Sequence, residues 1–379
     1  MRILLMTSPA PSKKEYGFYL GEKRFPLGLG YITAMLKSKG YNSVAIRDVY
    51  AKPKSISFKN FDVIGIYANT ICFKRGTLPL LEAIKGSLFK GKIVIGGPHT
   101  SVLLDSIPDY VDHVVVGEGE YAFLSIIENS NTDRIIKSER ILDLDALPRV
   151  AYEMYETSLY NLKFEEYSKC NRVFTYSSSR GCPFSCTFCS SKNIYNRKWT
   201  AHSPERVLDD IQYLVKTFKV DGIYFREDNF TVNKNRVRKI CQGLINRRIK
   251  IKWKCETRVD TSYEDLALMK KAGCVALYVG FESGSPKLLE KFNKQISVEQ
   301  SRKFIGDCNK LGIYIYGSFV YYSPYETLED RQLTEKFIKS VKLDRVGKNK
   351  YLALPGSEMY DDIIENPEIA EKYKTIIIK

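Results

Sequence analysis

R-G-C-P-F-S-C-T-F-C-S, residues 180–190, is the stretch on which the reading of this chain turns. Cys182, Cys186 and Cys189 stand with three and then two residues between them. Thiolate is the soft ligand that iron–sulfur clusters take, and this spacing suits three thiolates closing on one cluster. A 4Fe-4S cubane has four irons, so three local cysteines leave one iron open to another ligand, much as an open position separates catalytic from structural zinc. A zinc site would want four ligands, usually in two pairs. The other cysteines, at 72, 170, 241, 255, 274 and 308, make no second C-x-x-C, and His99, His113 and His202 make no H-x-x-x-H. With nine cysteines and no secretory signal in view, disulfide pairing is not expected.

The chain on either side alternates strand-like and helix-like runs. V-F-T-Y-S-S (173–178) reads as a strand delivering the cysteine loop, and Ser203-Pro204 opens a helix to about Phe218, with serine as N-cap. Strand-like runs then recur at 220–226, 249–256, 275–282, 313–319 and 350–354, all but the last followed by a helical stretch. Six such strands suit a partial (β/α) barrel, whose catalytic groups belong at the carboxyl ends of strands.

The first part has the same rhythm. Strands are expected at 3–7, 44–48, 62–67, 92–97 and 113–117, and helices at 27–39, 77–85 and 120–128. Short β-branched runs between amphipathic helices indicate a doubly wound parallel sheet, with ligands at the carboxyl ends of its strands. Those ends carry Ser8-Pro9, Tyr67-Ala68-Asn69-Thr70, Gly96-Gly97-Pro98-His99 and Gly117-Glu118-Gly119-Glu120. The glycines suit either close approach to a ligand or tight βα turns.

Composition is that of a large globular enzyme, with 44% hydrophobic and 27% charged residues. No apolar run approaches the ~18 to 20 residues that span a bilayer. M-R-I-L-L-M-T-S-P-A is too short for a signal peptide and reads as a buried first strand, so a reducing, cytoplasmic setting is expected. Lys and Arg total 59 against 44 Asp and Glu, a net +15 spread over both halves. The segment 229–255 has nine basic residues and no acid. It fits a nucleic-acid surface or a solvated helix face. Without a visible RNA-binding module the second is favoured, beside an anionic small substrate.

The cysteine run resembles the signature of the radical S-adenosylmethionine (SAM) superfamily, C-x-x-x-C-x-aromatic-C, with Phe188 as the aromatic residue. F-P-L-G-L-G-Y (25–31), V-I-G-I, I-G-G-P-H-T and V-V-V-G-E-G-E resemble the cobalamin-binding domain found upstream of many such enzymes, and L-D-A-L-P-R (144–149) resembles the linker. F-V-Y-Y-S-P-Y-E-T (319–327) is similar to the family's G-x-P-G-E-T, with Tyr325 in place of glycine, and L-P-G-S-E-M-Y (354–360) to the segment closing its core.

The resemblance implies an α/β chain. An N-terminal doubly wound parallel sheet, a Rossmann-like cobalamin-binding fold, covers 1–135. A linker follows over 136–170, then a partial (β/α)6 radical SAM barrel over 171–360 and a tail over 361–379. Cys182, Cys186 and Cys189 would bind a 4Fe-4S cluster whose open iron takes SAM. Phe188, Glu227, Asp228, Arg258 and Glu282 would line the SAM site; the acids and Arg258 could instead form ion pairs inside the barrel mouth. Asn69, Thr70, Gly96, Gly97, Gly117 and Glu118 would contact cobalamin. The chain lacks the D-x-H-x-x-G that offers a histidine to cobalt.

The implied activity is cobalamin-dependent C-methylation of a small molecule or secondary-metabolite precursor through a 5′-deoxyadenosyl radical. An electron donor such as flavodoxin or ferredoxin would serve it. Dehydration, cyclisation or oxidation without methyl transfer is the alternative. RNA modification is weaker, because neither an extra N-terminal cysteine triad nor an RNA-binding domain is evident.

Overall fold

The computed structural model describes residues 1–9, 23–53, 57–160, 162, 164 and 168–373. By internal contacts the chain divides into two units, with the boundary after Leu162.

The first unit is built on β1 (Ile3–Thr7), β2 (Val44–Arg47), β3 (Val63–Tyr67), β4 (Lys92–Gly96), β5 (His113–Val116) and β6 (Ile135–Lys137). They form one sheet in the order β2-β1-β3-β4-β5-β6, and every pairing is parallel. This is a doubly wound order, with its switch point between β1 and β3. Its helices are α1 (Leu27–Ser38), α2 (Leu78–Lys85), α3 (Pro98–Val102) and α4 (Gly119–Ile127). Both faces of the central strands are buried, as the unbroken apolar runs I-L-L-M and V-I-G-I require. Leu4, Met6, Ile64, Ile66, Ile93 and Ile95 pack with Leu81 and Ile84 of α2. On the opposite face α1 and α4 pack together, and Gly65 leaves room for Leu5 and Phe123.

β6 was not expected: it is three residues long, and only its central Ile136 is buried. Residues of the expected linker pack onto this unit. Tyr155 donates to the Pro26 carbonyl at 2.8 Å and Tyr160 to Asp48 at 2.7 Å, and Phe25 stacks on Tyr160 with ring centroids 4.3 Å apart.

The second unit carries β7 (Val173–Tyr176), β8 (Ser179–Arg180), β9 (Thr200–Ala201), β10 (Gly222–Phe225), β11 (Lys252–Thr257), β12 (Cys274–Glu282), β13 (Tyr314–Tyr321) and β14 (Arg345–Lys350). The helices are α5 (Ser191–Tyr195), α6 (Pro204–Phe218), α7 (Lys234–Asn246), α8 (Tyr263–Lys271), α9 (Pro286–Lys291), α10 (Val298–Leu311), α11 (Leu328–Ser340), α12 (Glu358–Glu365) and α13 (Pro367–Lys372). β7 and β10–β14 form a parallel sheet in sequence order, with β7 and β14 at opposite edges. This is the open, partial barrel expected.

Several predicted boundaries hold for local reasons. α6 starts at Ser203, whose side chain accepts the Arg206 N–H at 3.1 Å, and ends at Lys219 in the left-handed region. The sixth strand differs from expectation. R-V-G-K-N-K (345–350) forms it, and K-Y-L-A-L (350–354) does not. Most of β14 is exposed at the sheet edge, so its sequence lacks apolar alternation. Tyr351 and Ala353 instead join a satellite core with Leu288, Phe292, Met359 and Ile363. The expected tail gives a short helix, α13, and its residues beyond 373 lie outside the described residues.

Candidate functional site

Glu227, directly beyond β10, anchors the entry to the cysteine loop. Its carboxylate accepts the Ser178 N–H at 2.7 Å, the Ser178 hydroxyl at 2.5 Å and the Ser179 hydroxyl. It is 4% exposed, and burial raises its pKa against the opposing charge of Arg236. Arg236, also buried, donates to the Ser178 carbonyl at 2.9 Å and the His202 carbonyl at 2.8 Å. Gly181 then turns the chain into Cys182 with φ +80°, and a Cβ there would overlap the Lys198 carbonyl oxygen.

The loop is pinned on its far side by the segment after α9 and by α12. The Thr187 N–H donates to Phe292 O at 3.0 Å, and the Met359 N–H donates to Thr187 O at 3.0 Å. Asn293 donates to the Ser185 hydroxyl at 2.9 Å. Phe188 packs edge-on to Phe292 with centroids 5.3 Å apart, at the margin of the satellite core.

Asp228, unlike its neighbour, is exposed, and it accepts the Ser191 hydroxyl at 2.7 Å. Burial pushes the Cys189 thiol up to about 12, helped by the Asp228 charge and by Cys186 and Cys182. Burial also raises Cys182, with Asp228 and Cys186 adding to it and Arg258 opposing. The three thiols and one accessible carboxylate therefore share a single electrostatic neighbourhood. Among the described residues no three His, Cys, Asp or Glu side chains are grouped as ligands of one metal ion. A cubane asks instead for thiolates spread over separate corners. Three soft donors in a short pinned loop fit it.

Arg258 follows β11 and is 6% exposed. Its Nη1 lies 3.7 Å from Cys186 Sγ, its Nη2 donates to the Lys294 carbonyl, and its guanidinium carbon sits 3.9 Å from the Phe184 ring centroid. Glu282 ends β12 with φ +64° and receives the buried Lys294 ammonium at 2.8 Å. Thus Asp228 and Arg258 lie with the cysteines, Glu227 supports them from below, and Glu282 is held in an ion pair. Nothing in sequence spacing singled out Ser178, Ser179, Arg236 or Lys294; a basic residue twelve positions past Glu282 is no signal by itself.

The tyrosines of the 319–327 segment are also committed. Tyr321 donates to Glu335 at 2.8 Å and Tyr325 to Asp362 at 2.7 Å, while Arg331 lies 4.3 Å from the Tyr322 ring centroid. The basic stretch 229–255 is largely paired within the fold. Lys234 meets Asp260 at 3.2 Å, Arg238 meets Asp265 at 2.6 Å and Arg247 meets Asp209 at 2.5 Å, while Arg236 and Lys254 are buried. Five of the nine basic residues are therefore tied into the fold.

In the first unit the strand-end residues expected to contact cobalamin are polar or glycine, with a single carboxylate, Glu118, held in an ion pair. Asn69 accepts the Ile71 N–H at 3.0 Å and, like Thr70, is half-buried. Gly97 (φ +119°) and Gly117 (φ +96°) serve the turns themselves. A Cβ at Gly97 would sit 2.8 Å from the Ala68 carbonyl oxygen, and one at Gly117 would sit 2.7 Å from Ser138 Oγ. At Gly96 the nearest neighbour, Val115, would be at an ordinary 3.4 Å. Glu118 is held by Arg140 at 2.6 Å and by the Ile141 N–H at 2.6 Å. His99 is 1% exposed, stacked on Phe73 at 3.6 Å, with Nε2 2.8 Å from Ser106 Oγ. His113 stands at the opposite end of the sheet and bonds the Asp133 carbonyl. A corrin rim bears neutral amides, so Asn69, Thr70 and the backbone beside Gly96 and Gly97 fit it, without an exposed histidine for cobalt.

No helix among the described residues is long and apolar enough to cross a membrane. The family model described as Radical SAM superfamily matches residues 176–338, and the B12 binding domain model matches 18–127. An uncharacterised methyltransferase of Pyrococcus horikoshii is 29% identical over 99% of this chain and 87% of its own length. The anaerobic magnesium-protoporphyrin IX monomethyl ester cyclase of Rubrivivax gelatinosus is 24% identical over 93% of this chain and 69% of its own. Among solved structures, the radical S-adenosylmethionine methyltransferase TsrM from Kitasatospora setae, with cobalamin and a 4Fe-4S cluster bound, has a TM-score of 0.73. The alignment covers 96% of this chain and 78% of that one at 16% identity, a likeness of fold.

Proposed function

Because this chain belongs to the radical SAM superfamily and carries a B12-binding domain ahead of the radical SAM domain, we propose that it is a cobalamin-dependent C-methyltransferase acting on a small molecule. The observation that carries the reading is the pinned three-cysteine loop at the carboxyl ends of a parallel sheet, in one chain with a second, histidine-poor strand-end site. When bound, the cluster and SAM supply one-electron cleavage to a carbon radical, and cobalamin supplies a methyl carrier.

The protein's own residues hold and orient. Cys182, Cys186 and Cys189 would hold the cluster as thiolates, so its binding would displace the protons that burial favours on Cys182 and Cys189. Asp228 offers its exposed carboxylate to the SAM ammonium, a charge-assisted contact. Glu227 fixes the loop from which the ligands project. Asn69, Thr70 and the backbone at Gly96 and Gly97 would receive the corrin amides. A low-potential protein such as a flavodoxin or ferredoxin delivers the electron, in the reducing cytoplasm.

The likeness to the cyclase of Rubrivivax gelatinosus favours a second reading, radical ring closure or oxidation without methyl transfer. The test uses anaerobically reconstituted protein with SAM. Wild type forms 5′-deoxyadenosine, and Cys186→Ala loses that activity while retaining cobalamin. Undiminished SAM cleavage by Cys186→Ala would sink the assignment of the cysteine loop to the cluster, and a wild type that forms no deoxyadenosine would sink the enzyme reading; deoxyadenosine without S-adenosylhomocysteine in the presence of product would select the second.

A further inference from the structure

We propose that Arg258 sets the reduction potential of the cluster, by donating from its guanidinium to the Cys186 sulfur; this rests on the cluster reading of the cysteine loop. The two groups are 3.7 Å apart, within hydrogen-bond range for sulfur. Neither is free to wander. Arg258 is clamped through Nη2 to the Lys294 carbonyl and through its face to Phe184, and Lys294 is itself tied to Glu282 at 2.8 Å. Arg258 is 6% exposed and Cys186 9%, so water and salt screen the contact poorly. Arginine keeps its charge at any working pH and presents a rigid planar fork. Its Nε is buried without a partner, a remaining donor on a group placed beside a ligand sulfur.

Reduction adds one electron to the cluster, drawn from a low-potential donor, with no bond broken and no proton moved. A fixed cation bonded to a ligand sulfur favours the added negative charge. Hydrogen bonds to the sulfurs and burial are among the levers by which a protein tunes such clusters. The contact also differs from the one expected of Arg258, which would face SAM. In SAM-free protein that contact has no effect, whereas a bond to Cys186 acts at all times.

The experiment is a redox titration, followed by electron paramagnetic resonance, of the full chain with its cluster reconstituted anaerobically and SAM left out. Arg258→Met lowers the reduction equilibrium constant at least tenfold, a shift of about 59 mV to more negative potential for one electron. Arg258→Lys keeps a charge but loses the fork, and falls between the two. An unchanged SAM-free potential in Arg258→Met, with weakened SAM binding, overturns the proposal and gives the arginine to SAM. If Arg258→Met takes up no iron, a wild-type potential in Arg258→Lys overturns it equally. A wild-type chain that assembles no cluster would defeat the cluster reading beneath, which is a separate outcome.

Discussion

Glu227 and Asp228 are adjacent in sequence, yet the fold assigns them opposite duties, and substituting them should separate stability from chemistry. The Glu227 carboxylate is 4% exposed, takes three donors from Ser178 and Ser179 and balances the buried Arg236. Glu227→Ala leaves those donors and a buried guanidinium without their anion. Leaving a buried charge uncompensated costs about 3–5 kcal/mol. For a unit of this size, roughly 2–4 °C per kcal/mol gives a fall in melting temperature of about 6–20 °C. Glu227→Gln keeps the shape and loses the charge, and should lie between. Asp228→Asn touches only an exposed side chain and the Ser191 hydroxyl, so its stability should stay within about 0.5 kcal/mol of wild type. Its effect should appear instead in SAM binding. The assay is thermal and urea unfolding of the apo-protein by circular dichroism, with SAM affinity measured on the reconstituted enzyme. Wild-type stability in Glu227→Ala, or an Asp228→Asn variant that unfolds as early as Glu227→Ala, would refute the division of labour.

Acid should weaken the first unit through His99. Burial holds its pKa down to about 4 against an ordinary 6.5. The unfolded state therefore binds the extra proton first, and stability present above pH 6.5 falls as pH drops toward 4, by about 3 kcal/mol across that window. Urea midpoints at pH 7.5 and 4.5 should differ less in His99→Gln than in wild type. At high pH the sign reverses in origin. Burial pushes Cys72 up to about 11 and Cys241 and Cys308 up to about 12 from 9. These thiols stay protonated in the fold while the unfolded chain ionises, so stability is full below pH 9 and is lost as pH rises through 11 to 12; a flat alkaline melting curve would contradict this. Gly97→Ala places a Cβ 2.8 Å from the Ala68 carbonyl oxygen at φ +119°. It should lower stability by more than ~1 kcal/mol and reduce cobalamin retention, measured by absorbance after gel filtration.

Much of this was legible in the sequence because it is local. The cysteine spacing is a local fact, and runs such as I-L-L-M-T and V-D-G-I-Y-F need only the backbone period to read as strands. β14 escaped because R-V-G-K-N-K lies exposed at the sheet edge, where no core imposes an apolar pattern, while the apolar Y-L-A-L beside it fills a satellite cluster. The order of E-D at 227–228 was also opaque. Which carboxylate turns inward depends on two serines 48 and 49 residues upstream. Arg258 illustrates the same limit, since its partners, the Cys186 sulfur and the Lys294 carbonyl, come from separate βα units.

Cobalt and iron content of the full chain, purified anaerobically and reconstituted with iron, sulfide and hydroxocobalamin, tests the central claim most directly. Stoichiometric cobalt beside a reducible 4Fe-4S cluster, both surviving gel filtration, is the expected result. A protein that assembles the cluster and cleaves SAM yet retains no cobalt would contradict cobalamin-dependent methyl transfer.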